Sequence, residues 1–148
     1  MQHVWIRPAA LTLALAATLA TGAAQAREAN EDDAFASIAT IRQAYATGAL
    51  TPEGLTTLFL SRIATIDKAG PTVNAVLETN PDALSIARKA GKTGALAGIP
   101  ILLKDNIDTG DRMQTTAGSL ALAGKPAPHD SAVAAKLRKA GAIILGKT

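Results

Sequence analysis

Two short apolar runs, Ile99 to Leu103 and Ala142 to Leu145, constrain this chain most. The first, extended to Lys104, reads as a buried strand, and so does the second. Between them Asp130 or Ser131 caps a helix running to Ala140, with Val133, Leu137 and Ala140 on its face and a basic last turn of Lys136, Arg138 and Lys139. Val73 to Leu77 reads as a further short strand, and Asn80-Pro81-Asp82 opens a helix over about Pro81 to Lys92. Strands alternating with helices after residue 73 predict an α/β fold. Upstream, a helix from about Ala34 to Thr47, capped by Asp33 and stopped by Gly48, carries Phe35, Ile38, Ile41 and Tyr45 on one face. Thr51 caps a second helix with Pro52 in its first turn; Leu55, Leu58, Phe59, Arg62, Ile63 and Ile66 form its stripe, and it ends at Gly70-Pro71. The stretch from Thr109 to Pro128 is mostly connection, with a helical turn over Ser119 to Ala123.

The 148 residues leave room for one domain at most, and a core can be built from the 48% hydrophobic content with only 3% aromatics. The absence of cysteine excludes disulfides, thiolate catalysis and Cys-ligated metals. His3 and His129 lie far apart without a carboxylate cluster, which argues against a metal site. The net charge of +3 is scattered, with no basic stripe interleaved with aromatics, so no nucleic-acid partner is expected.

The N-terminus has the layout of an export signal. Arg7 supplies the positive segment, Ala9 to Ala20 the apolar one, and Ala24-Gln25-Ala26 the cleavage site. Twelve apolar residues fall short of the roughly 20 needed to span a bilayer. Cleavage after residue 26 would leave 122 residues and a charge of +2, because Arg7 departs with the signal. The expectation is a periplasmic or secreted protein, free of the membrane once the signal is cleaved. Residues 27–33 read as a polar leader and 34–148 as the folded part.

Lys104 follows an apolar strand and precedes Asp105-Asn106-Ile107-Asp108, a turn-forming group. Alternation puts Leu102 and Lys104 on one strand face and Ile101, Leu103 and Asp105 on the other, so Asp105 need not pair with Lys104. An amine among aliphatic groups loses hydration and acidifies, and a neutral amine can take a proton from a hydroxyl. A solvated strand end is the ordinary alternative.

Three consecutive pieces decide between them: Leu96-Ala-Gly-Ile-Pro-Ile-Leu-Leu-Lys104-Asp-Asn-Ile-Asp108, Thr115-Thr-Ala-Gly-Ser119, and Asp130-Ser-Ala-Val with Leu137-Arg-Lys-Ala-Gly-Ala-Ile-Ile-Leu-Gly-Lys147-Thr148. In this order and spacing they resemble the amidase signature family. Ser61-Arg-Ile-Ala-Thr-Ile-Asp67 and Asn80-Pro-Asp-Ala-Leu84 resemble its N-terminal region, so the likeness runs from about Ile38 to Thr148. The leader and the wording of the motifs look most like exported peptide amidases. The resemblance implies a large mixed sheet flanked by helices, of which this chain supplies outer helices and the first strands. It implies amide hydrolysis by a Ser–cis-Ser–Lys triad in which Lys104 matches the lysine, a small amide or peptide amide substrate, and no metal or organic cofactor. It also implies that both triad serines and the oxyanion loop lie in a Gly/Ser-rich segment beyond Thr148. On that basis 34–148 is the N-terminal part of an amidase domain, truncated before its nucleophile and inactive alone.

Local serines do not replace the missing ones. Ser119 and Ser131 suit turn and cap roles, and His129 suits a surface loop. Gly141-Ala-Ile-Ile-Leu-Gly-Lys-Thr148 spells the P-loop pattern, but its apolar centre suits a strand and a nucleotide-binding reading lacks the required loop and following helix. A non-catalytic exported binding module is the alternative from a different functional class.

Overall fold

The computed structural model describes residues 25–148. The export-signal reading therefore lies, apart from Gln25 and Ala26, outside the described residues. The elements are α1 (Glu31–Phe35), α2 (Ile38–Thr47), α3 (Pro52–Arg62) with a π-helical extension (Ile63–Lys68), β1 (Glu78–Thr79), α4 (Ala83–Arg88), β2 (Pro100–Leu103), a 3-10 turn (Leu120–Leu122), α5 (Ala132–Lys139) and β3 (Ile143–Lys147). No helix among the described residues is long and apolar enough to cross a membrane.

The expected helix over 34–47 is two helices. Asn30, not Asp33, caps the first: its side chain accepts from the Asp32 and Asp33 amides, while the Asp33 carboxylate reaches back to the Asn30 amide at 2.9 Å. Ala36 is extended, and Ser37 then caps α2 by accepting from the Thr40 amide at 3.1 Å. The break turns Phe35 outward, 79% exposed beneath the Arg62 guanidinium, so only Ile41 and Tyr45 of the expected stripe serve the core. Gly48 ends α2 in the left-handed region at φ 73, and Thr51 caps α3 ahead of Pro52, both as the sequence indicates.

The strand expected over 73–77 is a loop. The Asp67 carboxylate accepts from the amides of Ala75 (2.7 Å) and Val76 (3.3 Å), donors that a strand would offer to its neighbour. Thr72 and Asn74 also take positive φ, so pairing begins only at Leu77, whose amide donates to Lys147 O at 2.8 Å. The next helix, expected over about Pro81 to Lys92, runs only from Ala83 to Arg88; its late start follows from Asn80, which holds its entrance in a turn. Its side chain accepts from the Asp82 amide at 2.9 Å and donates to Ile144 O at 2.8 Å.

The sheet order is β1–β3–β2, with β3 antiparallel to β1 and parallel to β2. Helix α5 lies in the crossover between the parallel strands, so β2, α5 and β3 form a βαβ unit. Helices cover both faces. Ile143 and Leu145 pack with Ala83 and Ala87 of α4 and with Phe59, Leu60 and Ile63. Leu103 and Ile144 pack with Met113 and with Ala134 and Leu137 of α5. Val133, expected on that inner face, is 51% exposed; the small Ala134 takes the contact and lets α5 approach closely. A third cluster joins Ile41, Leu50 and Leu55 to Ile99 at the entrance to β2.

The β2–β3 register contains a bulge. Ile101 pairs with Ile144 but Leu102 pairs with Gly146, so Leu145 and Gly146 together oppose one residue. Beyond it Leu103 pairs with Lys147.

Candidate active site

Lys104 is the first residue past β2, and its backbone neighbours are bound on both sides to the end of β3. The Thr148 amide donates to Leu103 O at 2.9 Å, and the Asp105 amide donates to Thr148 O at 2.8 Å. The Ile107 amide then donates to Lys104 O at 2.9 Å, closing a tight turn over Lys104–Ile107. Strand alternation holds as the sequence indicates: Leu102 and Lys104 are exposed, Leu103 and Asp105 buried. Leu102 lines an open groove of about 290 Å³ with Phe59, Ile63, Ile66, Val73 and Leu145. Among the described residues Lys104 makes no ion pair, and no hydroxyl is hydrogen-bonded to its amine. The expected dry setting is therefore not provided at position 104 by these residues.

Asp105 turns away from Lys104, as expected. Its carboxylate accepts from the Thr116 amide at 3.2 Å and from the Thr116 hydroxyl, while its carbonyl accepts from the Ala117 amide at 3.3 Å. These bonds fold the connecting segment back over the end of the sheet. Farther along, Arg138 of α5 bridges Asp111 at 2.5 Å and Asp130 at 3.0 Å, and the Asp130 carboxylate also accepts from the Gly110 amide at 2.8 Å. The connection between Thr109 and Pro128 is thus tied to α5 by charge-assisted bonds.

The desolvated lysine is Lys147. It is fully buried, and its Nζ donates to Ile107 O at 2.8 Å and to the Thr115 hydroxyl at 2.9 Å. Burial lowers its pKa from the ordinary lysine value, opposed by the nearby carboxylates of Asp105, Asp111, Asp108 and Glu78. Sequence reasoning meets Lys147 only as a letter of the P-loop spelling and of the third matched piece, with no role attached. In the structure that spelling lies largely in the central strand, with Ile143 to Lys147 all buried. What brings Lys147 to the turn is the bulge, for which the sequence carries no plain signal.

The other singled-out residues sit apart from this turn's hydrogen bonds. Ser131 caps α5 by accepting from the Ala134 amide at 3.2 Å. Ser119 precedes the 3-10 turn with an exposed hydroxyl that makes no capping bond. His129 is exposed in the loop before α5. Among the described residues no group of three or more His, Cys, Asp or Glu is arranged to hold a metal ion.

Comparison with known proteins gives this arrangement a context. A probable amidase of Arabidopsis thaliana is 44% identical over 121 residues, covering 76% of this chain and 23% of that protein. The glutamyl-tRNA(Gln) amidotransferase of Rhodospirillum rubrum contains a polypeptide 42% identical over 118 residues, covering 75% of this chain and 23% of that one. Among solved structures, the native peptide amidase of Stenotrophomonas maltophilia superposes with a TM-score of 0.70 at 45% identity, covering 76% of this chain and 24% of that one. The chain thus spans about a quarter of the length of these relatives. The family described as Amidase matches residues 55–148, a span holding α4, all three strands, α5 and both lysines of the turn, and the chain belongs to that family.

Proposed function

We propose that this chain contributes the lysine of an amide C–N hydrolase that works by a Ser–cis-Ser–Lys relay, with Lys104 as the base. In that relay the neutral amine takes a proton from a serine on a cis peptide bond. That serine takes one from a nucleophilic serine, which attacks the amide carbonyl. An acyl-enzyme forms, ammonia or an amine leaves, and water releases the acid. Backbone amides of a Gly/Ser-rich loop hold the oxyanion. The serines and the loop are proposed to lie outside residues 1–148, so these residues alone would not turn over amides.

The observation that carries the reading is the fixing of Lys104. Both flanking peptides are bound to Thr148, at 2.9 and 2.8 Å, while the side chain stays on the open Leu102 face. An amine so placed is accessible to hydroxyls from a covering segment, and such a segment would supply the desolvation a base needs. Relatives about four times as long have ample chain for one. Peptide amides are the proposed substrate class, supported by the 45% identity to a peptide amidase. The leader at residues 1–26 supports an exported protein over a cytoplasmic amidotransferase component.

The test is ammonia release from a C-terminally amidated peptide by a longer form of the protein that carries the Gly/Ser-rich segment. Hydrolysis should disappear in Lys104→Ala and be absent from the 148-residue chain. Turnover by the short chain that survives Lys104→Ala would sink the assignment.

A further inference from the structure

We infer that Lys147 is a positioning residue for Lys104, acting through the turn both residues contact. This rests on the reading of Lys104 as the base.

A fully buried lysine is costly to desolvate, and its surroundings must return hydrogen bonds for each proton kept from water. Two of the Lys147 N–H groups find acceptors, on two different arms of chain: Ile107 O at 2.8 Å and the Thr115 hydroxyl at 2.9 Å. Ile107 closes the turn that begins at Lys104, through its amide bond to Lys104 O at 2.9 Å. Thr115 immediately precedes Thr116, which binds the Asp105 carboxylate. The amine therefore bridges the outgoing arm at Ile107 and the returning arm at Thr115. Thr148 fixes the peptides on either side of position 104 from the strand end, and Lys147 holds the far side of the turn at Ile107 O. Without it the turn would retain the strand ladder and the Asp105–Thr116 bonds but lose the bridge from β3 to Ile107 O and Thr115. The carboxylates of Asp105, Asp111, Asp108 and Glu78 partly offset the cost of burying the amine.

The test compares Lys147→Met, Thr115→Val and Lys104→Ala in the full-length protein, by steady-state hydrolysis of an amidated peptide and its pH profile. Amide hydrogen exchange in the 148-residue chain is the second readout. Lys147→Met should lower kcat by about ten- to a hundredfold, as expected for a misplaced reacting group, with KM changed by less than about threefold. The rising limb of the kcat profile against pH should also move. Thr115→Val, which removes one acceptor and keeps the size, should act in the same direction more weakly. The Ile107 amide should exchange about tenfold faster in Lys147→Met, while amides of α3 stay unchanged. A fall in melting temperature with kcat, pH limb and Ile107 exchange unaltered would overturn the inference and leave a stabilising role only. If Lys147→Met does not fold, an unchanged kcat in Thr115→Val overturns it and a lowered one supports it. Full activity in Lys104→Ala would overturn the functional reading and this inference together; loss there with normal kcat in Lys147→Met overturns the inference alone.

Discussion

Gly146 offers the sharpest test of how the sheet end is built. A Cβ there would lie 2.5 Å from Glu78 O, 3.0 Å from Leu102 Cδ2 and 3.3 Å from Thr79 Cα. The leucine methyl can rotate away. Glu78 O is backbone and cannot, so in Gly146→Ala strand β1 must retreat by at least about 0.5 Å to reach even the tightest ordinary contact. That retreat stretches the short ladder of β1, including the flanking bonds from Leu77 N to Lys147 O and from Asn80 N to Leu145 O, each 2.8 Å. Overpacking of this kind costs about 1–3 kcal/mol. Alanine returns roughly 0.5–1 kcal/mol by restricting the unfolded chain. At the middle of both ranges the net loss is about 1 kcal/mol, a melting temperature lower by about 4 °C for a domain of this size. Gly91→Ala is the control, since its Cβ would meet only Thr93 Oγ1 at 3.9 Å and φ there is not positive. It should gain about 0.4–1 kcal/mol. Thermal and urea unfolding followed by circular dichroism measure both. A Gly146→Ala protein as stable as the parent, or a Gly91→Ala protein equally destabilised, would refute the close-approach argument.

Asn80→Ala removes a buried side-chain bond to Ile144 O and a part-buried one from the Asp82 amide, and should cost about 2–3 kcal/mol in urea unfolding. Arg27, which grips Asp33 through two 2.6 Å bonds, holds that carboxyl below its usual range. The stability it contributes is full above about pH 3.8 and lost as pH falls through the lowered folded-state value, so Asp33→Asn should flatten acid unfolding in that window. Lys147 gives a slope of the same sign from a different cause, because burial disfavours its charged form. Between its lowered folded-state pKa and 10.5 the unfolded chain binds more protons, so stability rises with pH across that window, and urea midpoints of Lys147→Met should lose that rise. Lys104→Ala, at an exposed position without an ion pair, should change stability by no more than about 0.5 kcal/mol, which separates any loss of activity from loss of fold.

What was legible in the sequence followed local chemistry. Caps at Thr51 and Ser131, the stop at Gly48, the two apolar strands (β3 buried throughout, β2 only in part) and the exposure of Leu102 and Lys104 all rest on residues acting within a few positions of themselves. The misplacements arose where a side chain reached a distant or competing partner. Asp67 captured the amides that would have made Val73 to Leu77 a strand, and Asn80 bound Ile144 O, 64 residues away. The site divides in the same way. The position of Lys104 at a strand end and the outward turn of Asp105 follow from alternation. The buried state of Lys147 depends on a bulge and on a loop folded back by Asp105, neither of which periodicity reveals.

The bulge explains why two lysines at the ends of paired strands meet opposite environments. In a regular strand Ile143, Leu145 and Lys147 would share one face, and the amine would enter the apolar cluster formed with α3 and α4. Placing both Leu145 and Gly146 opposite Leu102 shifts the phase by one residue, so Lys147 comes into register with Leu103 and onto the face that carries the connecting loop. There it finds Ile107 O and Thr115. β2 contributes only one residue at the bulge, so Lys104 stays in phase with Leu102 and remains exposed. Gly146 makes the phase shift feasible, because this residue lies where Glu78 O leaves no space for a side chain. A substitution at 146 should therefore disturb the Lys147 contacts as well as the sheet. The two effects can be separated by asking whether Ile107 exchange rises in Gly146→Ala beyond what its loss of global stability accounts for.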